Sequence, residues 1–90
     1  MKQIEEIVKS SLEKEVGQHL VKSVNEVDIN ENLWEIGMDS LAFIRLVVSL
    51  EIETDTEFDD EVLTMEKLSS IKNFMDYISS KEIMLANKQE

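Results

Sequence analysis

The sequence predicts an all-α fold: a small four-helix bundle of three main helices and one short one, with a long loop between the first helix and the second. Three observations carry that expectation. Apolar residues recur at steps of three and four in three separate segments, no stretch alternates apolar and polar residues as a strand would, and the region between the first two segments is aperiodic yet studded with apolar side chains.

The first helix is placed by Ile4, Ile7, Val8, Leu12 and Val16, which form one apolar stripe while Lys and Glu fill the other faces; Gly17 falls near its end. From Gln18 to Met38 the periodicity is poor, but Val21, Val24, Val27, Ile29, Leu33, Trp34 and Ile36 punctuate it. Loops of that length in a small domain are either functional or disordered, and these apolar anchors predict an ordered one, with Trp34 packed on the bundle. The second helix runs from Leu41 to about Glu53, with Asp39 or Ser40 as its cap. It carries two apolar stripes, Phe43, Leu46, Val47 and Leu50 on one line and Leu41, Ile44 and Val48 on another, where a surface helix needs only one. After the acidic turn Asp55–Asp60, the group Val62, Leu63 and Met65 predicts a brief third helix. Ser69 or Ser70 then caps a fourth, marked by Ile71, Phe74, Met75 and Ile78. Residues 81–90 are expected to extend that helix or to fray as a polar tail, leaving residues 1–80 as the domain proper.

Composition narrows the function classes. Twenty acidic residues against nine basic ones give a net charge of −11, which repels nucleic acid and anionic membrane surfaces and favours protein partners with basic patches. Without cysteine there is no disulfide and no thiolate metal site, and His19 alone cannot build a zinc or haem site. The amino terminus lacks a signal-peptide pattern, and no stretch approaches the roughly 20 apolar residues of a membrane span. The expectation is a complete, soluble, cytoplasmic monomer with no metal.

Taken alone, Asp39-Ser40-Leu41 is an ordinary helix cap, and Ser40 needs no chemistry. A hydrolase built on Ser40 would need His19 as its base, nothing orients that residue, and the Gly-x-Ser-x-Gly elbow is absent, so catalysis is not expected. Asp55, Glu57, Asp59 and Glu66 fall at calcium-loop positions, yet Asp60 stands where the sharp turn needs glycine and no second loop pairs with it. That segment reads as an acidic turn.

The setting of Ser40 alters its reading: the serine follows a glycine-containing turn at the end of a long loop and opens a helix with a surplus apolar stripe. The chain resembles the acyl carrier protein and peptidyl carrier protein family over nearly its whole length. The resemblance rests on the first helix, on Asn32-Leu33-Trp34-Glu35-Ile36-Gly37-Met38-Asp39-Ser40-Leu41, on Leu46-Val47-Val48-Ser49-Leu50-Glu51, on Asp55-Thr56-Glu57-Phe58 and on Ser70 to Ile78. It implies that Ser40 carries 4'-phosphopantetheine, attached from coenzyme A by a phosphopantetheinyl transferase. The thiol of that arm would hold cargo as a thioester, the protein itself supplying no catalytic group. Physical reasoning agrees, since a phosphodiester at a helix N-terminus lies in a favourable field and Gly37 leaves room for a sharp turn and an approaching enzyme.

The same resemblance implies a partner face made of Asp39, Leu41, Ile44, Arg45 and Val48, with Val48 equally readable as core and Leu46 and Leu50 assigned to the core. Its partners would be loading and acyl- or peptidyl-processing enzymes with basic or apolar docking surfaces, steered by Glu35, Asp39, Glu51 and Glu53. Arg45 departs from the acidic residue common there in acyl carriers. Asp39 resembles the acyl and polyketide branch, whereas Glu57-Phe58 and Ser69-Ser70-Ile71 are similar to peptidyl carriers. Phe43 and Phe74 stand where fatty-acyl carriers have smaller side chains, so exposed cargo and a role in polyketide, nonribosomal peptide or related specialised biosynthesis are expected. The alternatives are an acyl carrier of fatty acid synthesis and, from another class, an unmodified acidic helical adaptor or calcium-binding module.

Overall fold

In the computed structural model, which describes residues 3–88 and their side chains through Lys81, three α-helices stand where the apolar steps predict them. They are α1 (Ile4–Glu15), α2 (Ser40–Thr54) and α3 (Ile71–Lys88), so the last helix takes in most of the expected tail, and residues 89 and 90 of that tail lie outside the described residues. Each start has a local cause. Glu5 and Glu6 place negative charge in the first turn of α1, and Asp39 caps α2 by accepting the Ala42 N–H at 2.8 Å. At α3 the cap is reciprocal. Asn73 Oδ1 accepts from the backbone N–H groups of Ser69 and Ser70 at 3.0 and 3.2 Å, while Ser70 Oγ accepts the Asn73 N–H at 3.2 Å. Such a cap contributes about 1 kcal/mol. Helix α2 ends at Asp55, whose φ of 53° is left-handed, a conformation that the short polar side chain of aspartate tolerates.

Val8 and Leu12 of α1 with Val16 just past its end, Phe43, Leu46, Val47 and Leu50 of α2, and Ile71, Phe74 and Ile78 of α3 are buried together. Where α1 meets α2, the small side chains Ser11 and Ser49 are both buried and satisfy each other, Ser49 Oγ donating to Ser11 Oγ at 3.0 Å. Aromatic rings run through the interior from Trp34 to Phe43 (centroids 5.0 Å), Phe43 to Phe74 (6.2 Å), Phe74 to Phe58 (6.2 Å) and Phe58 to Tyr77 (4.8 Å). The first three pairs are tilted and the last is stacked, geometries whose attraction adds to the area they bury.

The long loop is ordered, and short 3-10 turns at Gly17–His19, Val24–Glu26 and Leu33–Ile36 break its course. Val24, Val27 and Leu33 are buried, and Ile29, Trp34 and Ile36 pack on the core beside them. Val21 does not serve as the anchor that the sequence suggests: it is 78% exposed, because its position is set by the backbone, its N–H donating to the Ile36 carbonyl at 2.9 Å. Three further bonds fasten the loop to the start of α3. The Leu33 N–H donates to the Ser69 carbonyl (2.7 Å), the Trp34 indole N–H to the Leu68 carbonyl (3.1 Å), and the Ile29 carbonyl accepts the Lys72 N–H (2.9 Å). The last of these satisfies one of the N–H groups that a helix start leaves without an internal partner.

The expected third helix is reduced to a 3-10 turn at Asp60–Val62. Beyond it the Thr64 hydroxyl accepts the Lys67 N–H at 3.1 Å and the Thr64 carbonyl the Leu68 N–H at 3.0 Å, one closed turn that goes no further. So short an apolar group cannot offset the cost of nucleating a longer helix. The segment is held from α3 instead. Asp59 accepts from Tyr77 Oη and Lys81 Nζ, both at 3.2 Å, and its carboxyl is lowered below the ordinary range chiefly by the Lys81 hydrogen bond.

Gly37 closes the loop on itself. Its φ is 131°, which L side chains rarely adopt, and a β-carbon there would overlap the His19 carbonyl oxygen. Gly17 has no such constraint, the nearest atom to its would-be β-carbon being Glu13 Cγ at 3.6 Å. Gly37→Ala is therefore expected to cost more than about 2 kcal/mol of unfolding free energy, whereas Gly17→Ala should be neutral or stabilising by up to about 1 kcal/mol. Urea denaturation of both variants checks the difference, and equal stabilities would contradict the packing described.

Candidate functional site

The turn before α2 positions its first residue from both sides. Leu33 enters the core, the Met38 N–H donates to the Leu33 carbonyl at 3.1 Å, and Met38 is itself buried. One residue later Asp39 is outside with extended backbone (φ −112°, ψ 178°), and Ser40 begins the helix. With Met38 pinned inward and Asp39 bonded to Ala42, Ser40 has little freedom to turn inward. It is exposed, and its hydroxyl makes no hydrogen bond to the described residues. The cap is thus Asp39, and Ser40 has no capping duty that chemistry on its oxygen would disturb.

The structure changes the reading of two neighbours of Ser40. The direction that a β-carbon of Gly37 would take is filled by the protein's own backbone at His19, so this glycine serves the close approach of two loop segments. The positive end of α2 is also shared, because the Asp39 carboxylate already occupies it.

Along α2 the two stripes separate. Ala42, Phe43, Leu46, Val47, Ser49 and Leu50 face inward, while Leu41 (61% exposed), Ile44 (47%), Val48 (46%) and Ile52 (75%) lie on the outer surface. Leu46 and Leu50 are core, and Val48, readable either way from sequence, is outside. Ile52 was missed. It follows Val48 by four residues and lengthens the strip by one helical turn, a step visible in the spacing. Arg45 is exposed beside this strip. Of the acidic residues expected around it, Glu35 and Glu53 are exposed, whereas Glu51 is half-buried and accepts the Phe58 N–H at 3.0 Å, tying the end of α2 to the next loop.

The remaining candidates lie in structural roles. Trp34 is half-buried against Phe43 with its indole N–H bonded to Leu68. His19 is exposed and abuts Gly37 through its carbonyl. Asp59 of the acidic segment faces Tyr77 and Lys81, and among the described residues no three His, Cys, Asp or Glu side chains gather as a metal site would need. Glu31, whose carboxyl is lowered by the hydrogen bond from Lys22 at 2.7 Å, ties the loop to itself.

Two comparisons bear on this arrangement. The family model described as a phosphopantetheine attachment site matches residues 4–78. Among solved structures, the protein is similar to a chain in the crystal structure of an engineered Bradyrhizobium japonicum glycine:[carrier protein] ligase complexed with a carrier protein from Agrobacterium tumefaciens and ATP. The sequences are 25% identical, the TM-score is 0.78, and the match covers 86% of this chain and 97% of the other. The family match runs from the start of α1 through the long loop, the exposed serine turn and α2 into α3, and on that evidence the chain belongs to the phosphopantetheine-attachment family of carrier domains, helical proteins that bear covalent 4'-phosphopantetheine and are not themselves catalysts.

Proposed function

We propose that this protein is a discrete, monomeric, cytoplasmic carrier that holds acyl or aminoacyl groups as thioesters on a phosphopantetheine arm at Ser40 and delivers them to partner enzymes. The observation that carries the reading is the placement of an exposed hydroxyl, with no hydrogen bond to the described residues, at the first residue of α2, next to the apolar line of Leu41, Ile44 and Val48. A phosphopantetheinyl transferase would join the Ser40 oxygen to the phosphorus next to the pantetheine of coenzyme A, with the hydroxyl proton lost and the adenosine bisphosphate half leaving. When bound, the group supplies a thiol, which this cysteine-free chain lacks. The chain's own part is physical. Asp39 holds the helix start with its carboxylate, the loop anchored by Leu33 and Trp34 fixes the turn, and tethering raises the local concentration of cargo at each partner.

Residues 1–80 would form the carrier domain, with α3 extending past it to Lys88. Asp39, Leu41, Ile44, Arg45 and Val48 would meet the partners. The pairing of the solved relative with a glycine:[carrier protein] ligase supports the aminoacyl side of the reading. Burial of Phe43 and Phe74, whose rings lie 6.2 Å apart in the centre of the bundle, supports cargo that stays outside and hence specialised biosynthesis over bulk fatty acid synthesis.

Incubation with coenzyme A and a broad-specificity phosphopantetheinyl transferase is expected to raise the intact mass by one phosphopantetheine, and Ser40→Ala to abolish the gain. Because Ser40 is exposed and not the cap, that variant should unfold within about 0.5 kcal/mol of the parent, so loss of modification will not reflect loss of fold. An unmodified wild type would sink the carrier reading and leave the acidic adaptor.

Cargo exposure has its own measurement. Each buried methylene contributes about 0.8 kcal/mol, so a long saturated acyl chain drawn into the bundle would stabilise it by several kcal/mol. The acylated protein is expected to match the unacylated pantetheinylated form within about 0.5 kcal/mol in chemical denaturation, and a gain above about 2 kcal/mol would point to sequestration and the fatty-acid alternative.

A further inference from the structure

The exposed strip of α2 borders a groove of about 290 Å³ that runs between α2 and the end of α1. Ile44, Val48 and Ile52 give it an apolar side, and Lys14 and Arg45 stand in its walls. Glu15 and Glu53 also line it, so the groove is locally balanced within a chain whose net charge is −11.

The state of its cations is uneven. Lys14 Nζ lies 4.0 Å from Glu15, a loose pairing. Arg45 has no carboxylate within 4.0 Å among the described residues, although it is the only arginine in a chain with 20 acidic residues. The sequence explains why. Positions three and four residues away along the helix are Leu41, Ala42, Val48 and Ser49, none of which carries a carboxylate. A planar fork with five donors, flanked by exposed Ile44 and Val48, suits a carboxylate held in bidentate fashion at the edge of an apolar contact.

We propose that this groove receives an apolar segment of a partner enzyme that carries one carboxylate, gripped by Arg45 with Lys14 as a weaker second cation. The inference rests on the carrier reading, which supplies the partner enzymes. It also qualifies the expectation drawn from net charge. The long-range field of the acidic chain attracts basic surfaces, but a partner that is basic throughout its docking face would set a cation against Arg45 and be disfavoured at contact. Arg45 thereby selects among enzymes that the field alone would attract equally.

The test uses the full chain labelled with nitrogen-15 and three synthetic helical peptides, identical in their leucine face and differing at one flanking position that holds Glu, Gln or Lys. The Glu peptide is expected to shift the amide signals of Lys14, Ile44, Val48 and Ile52 and to bind about tenfold tighter than the Gln peptide, against the pull of the net charge. Arg45→Gln should erase that preference, Arg45→Lys should keep only part of it, and Arg45→Glu should transfer it to the Lys peptide. Circular dichroism verifies that each variant is folded. Equal binding of the three peptides to the wild type, a preference that survives Arg45→Gln, or no groove shifts with any peptide overturns the proposal. So does sedimentation showing a dimer that Arg45→Glu dissociates, since the occupant would then be a second copy of the chain. Failure here leaves a mass gain at Ser40 untouched, whereas a wild type that gains no mass removes the carrier reading whatever the peptides do.

Discussion

The contact between the backbone of Gly37 and that of His19 governs much of this small fold. Only a residue without a β-carbon lets the two ends of the long loop meet there, with the neighbouring Val21 N–H reaching the Ile36 carbonyl. Once the loop is closed, Leu33 drops into the core, its N–H takes the Ser69 carbonyl, and the Trp34 indole reaches Leu68. The start of α3 and the start of α2 are then fixed against the same loop. The exposed serine at the head of α2 is therefore positioned by contacts distant in sequence, and the loop acts as part of the scaffold.

Helix α2 has two duties that its faces divide. The inward face sends Ala42, Phe43, Leu46, Val47 and Leu50 into the core, where Phe43 joins Trp34 to Phe74 in the aromatic run. The outward face leaves Leu41, Ile44, Val48 and Ile52 in water, an arrangement with no benefit to the isolated chain. A contiguous apolar line that begins beside an exposed serine is consistent with membership of a family whose members bear phosphopantetheine.

The charges also divide. Asp39, Glu51, Glu31 and Asp59 each hold a named group of the chain itself, respectively the Ala42 N–H, the Phe58 N–H, Lys22 and Lys81. These carboxylates keep turns and helix ends in place. Glu35, Glu53 and Arg45 are exposed and carry the chemistry that a neighbouring molecule would meet. A count of acidic residues alone would have assigned all of them to steering.

The sequence by itself determined the three main helices, their inward faces and the residue at the head of α2, because steps of three and four residues and capping side chains act over one or two turns. The same spacing shows that α2 has one apolar stripe more than a small bundle needs, and the family resemblance marks Leu41 and Ile44 as the outer one, with Leu46 and Leu50 core. Tertiary structure alone decided the rest. It placed Val48 outside, turned Glu51 inward, exposed Val21, and reduced the brief third helix to a short 3-10 turn. Each of these depends on which segment packs alongside, as with the loop against α3 or Asp59 against Tyr77 and Lys81, and such neighbours lie too far apart in the chain for local periodicity to register.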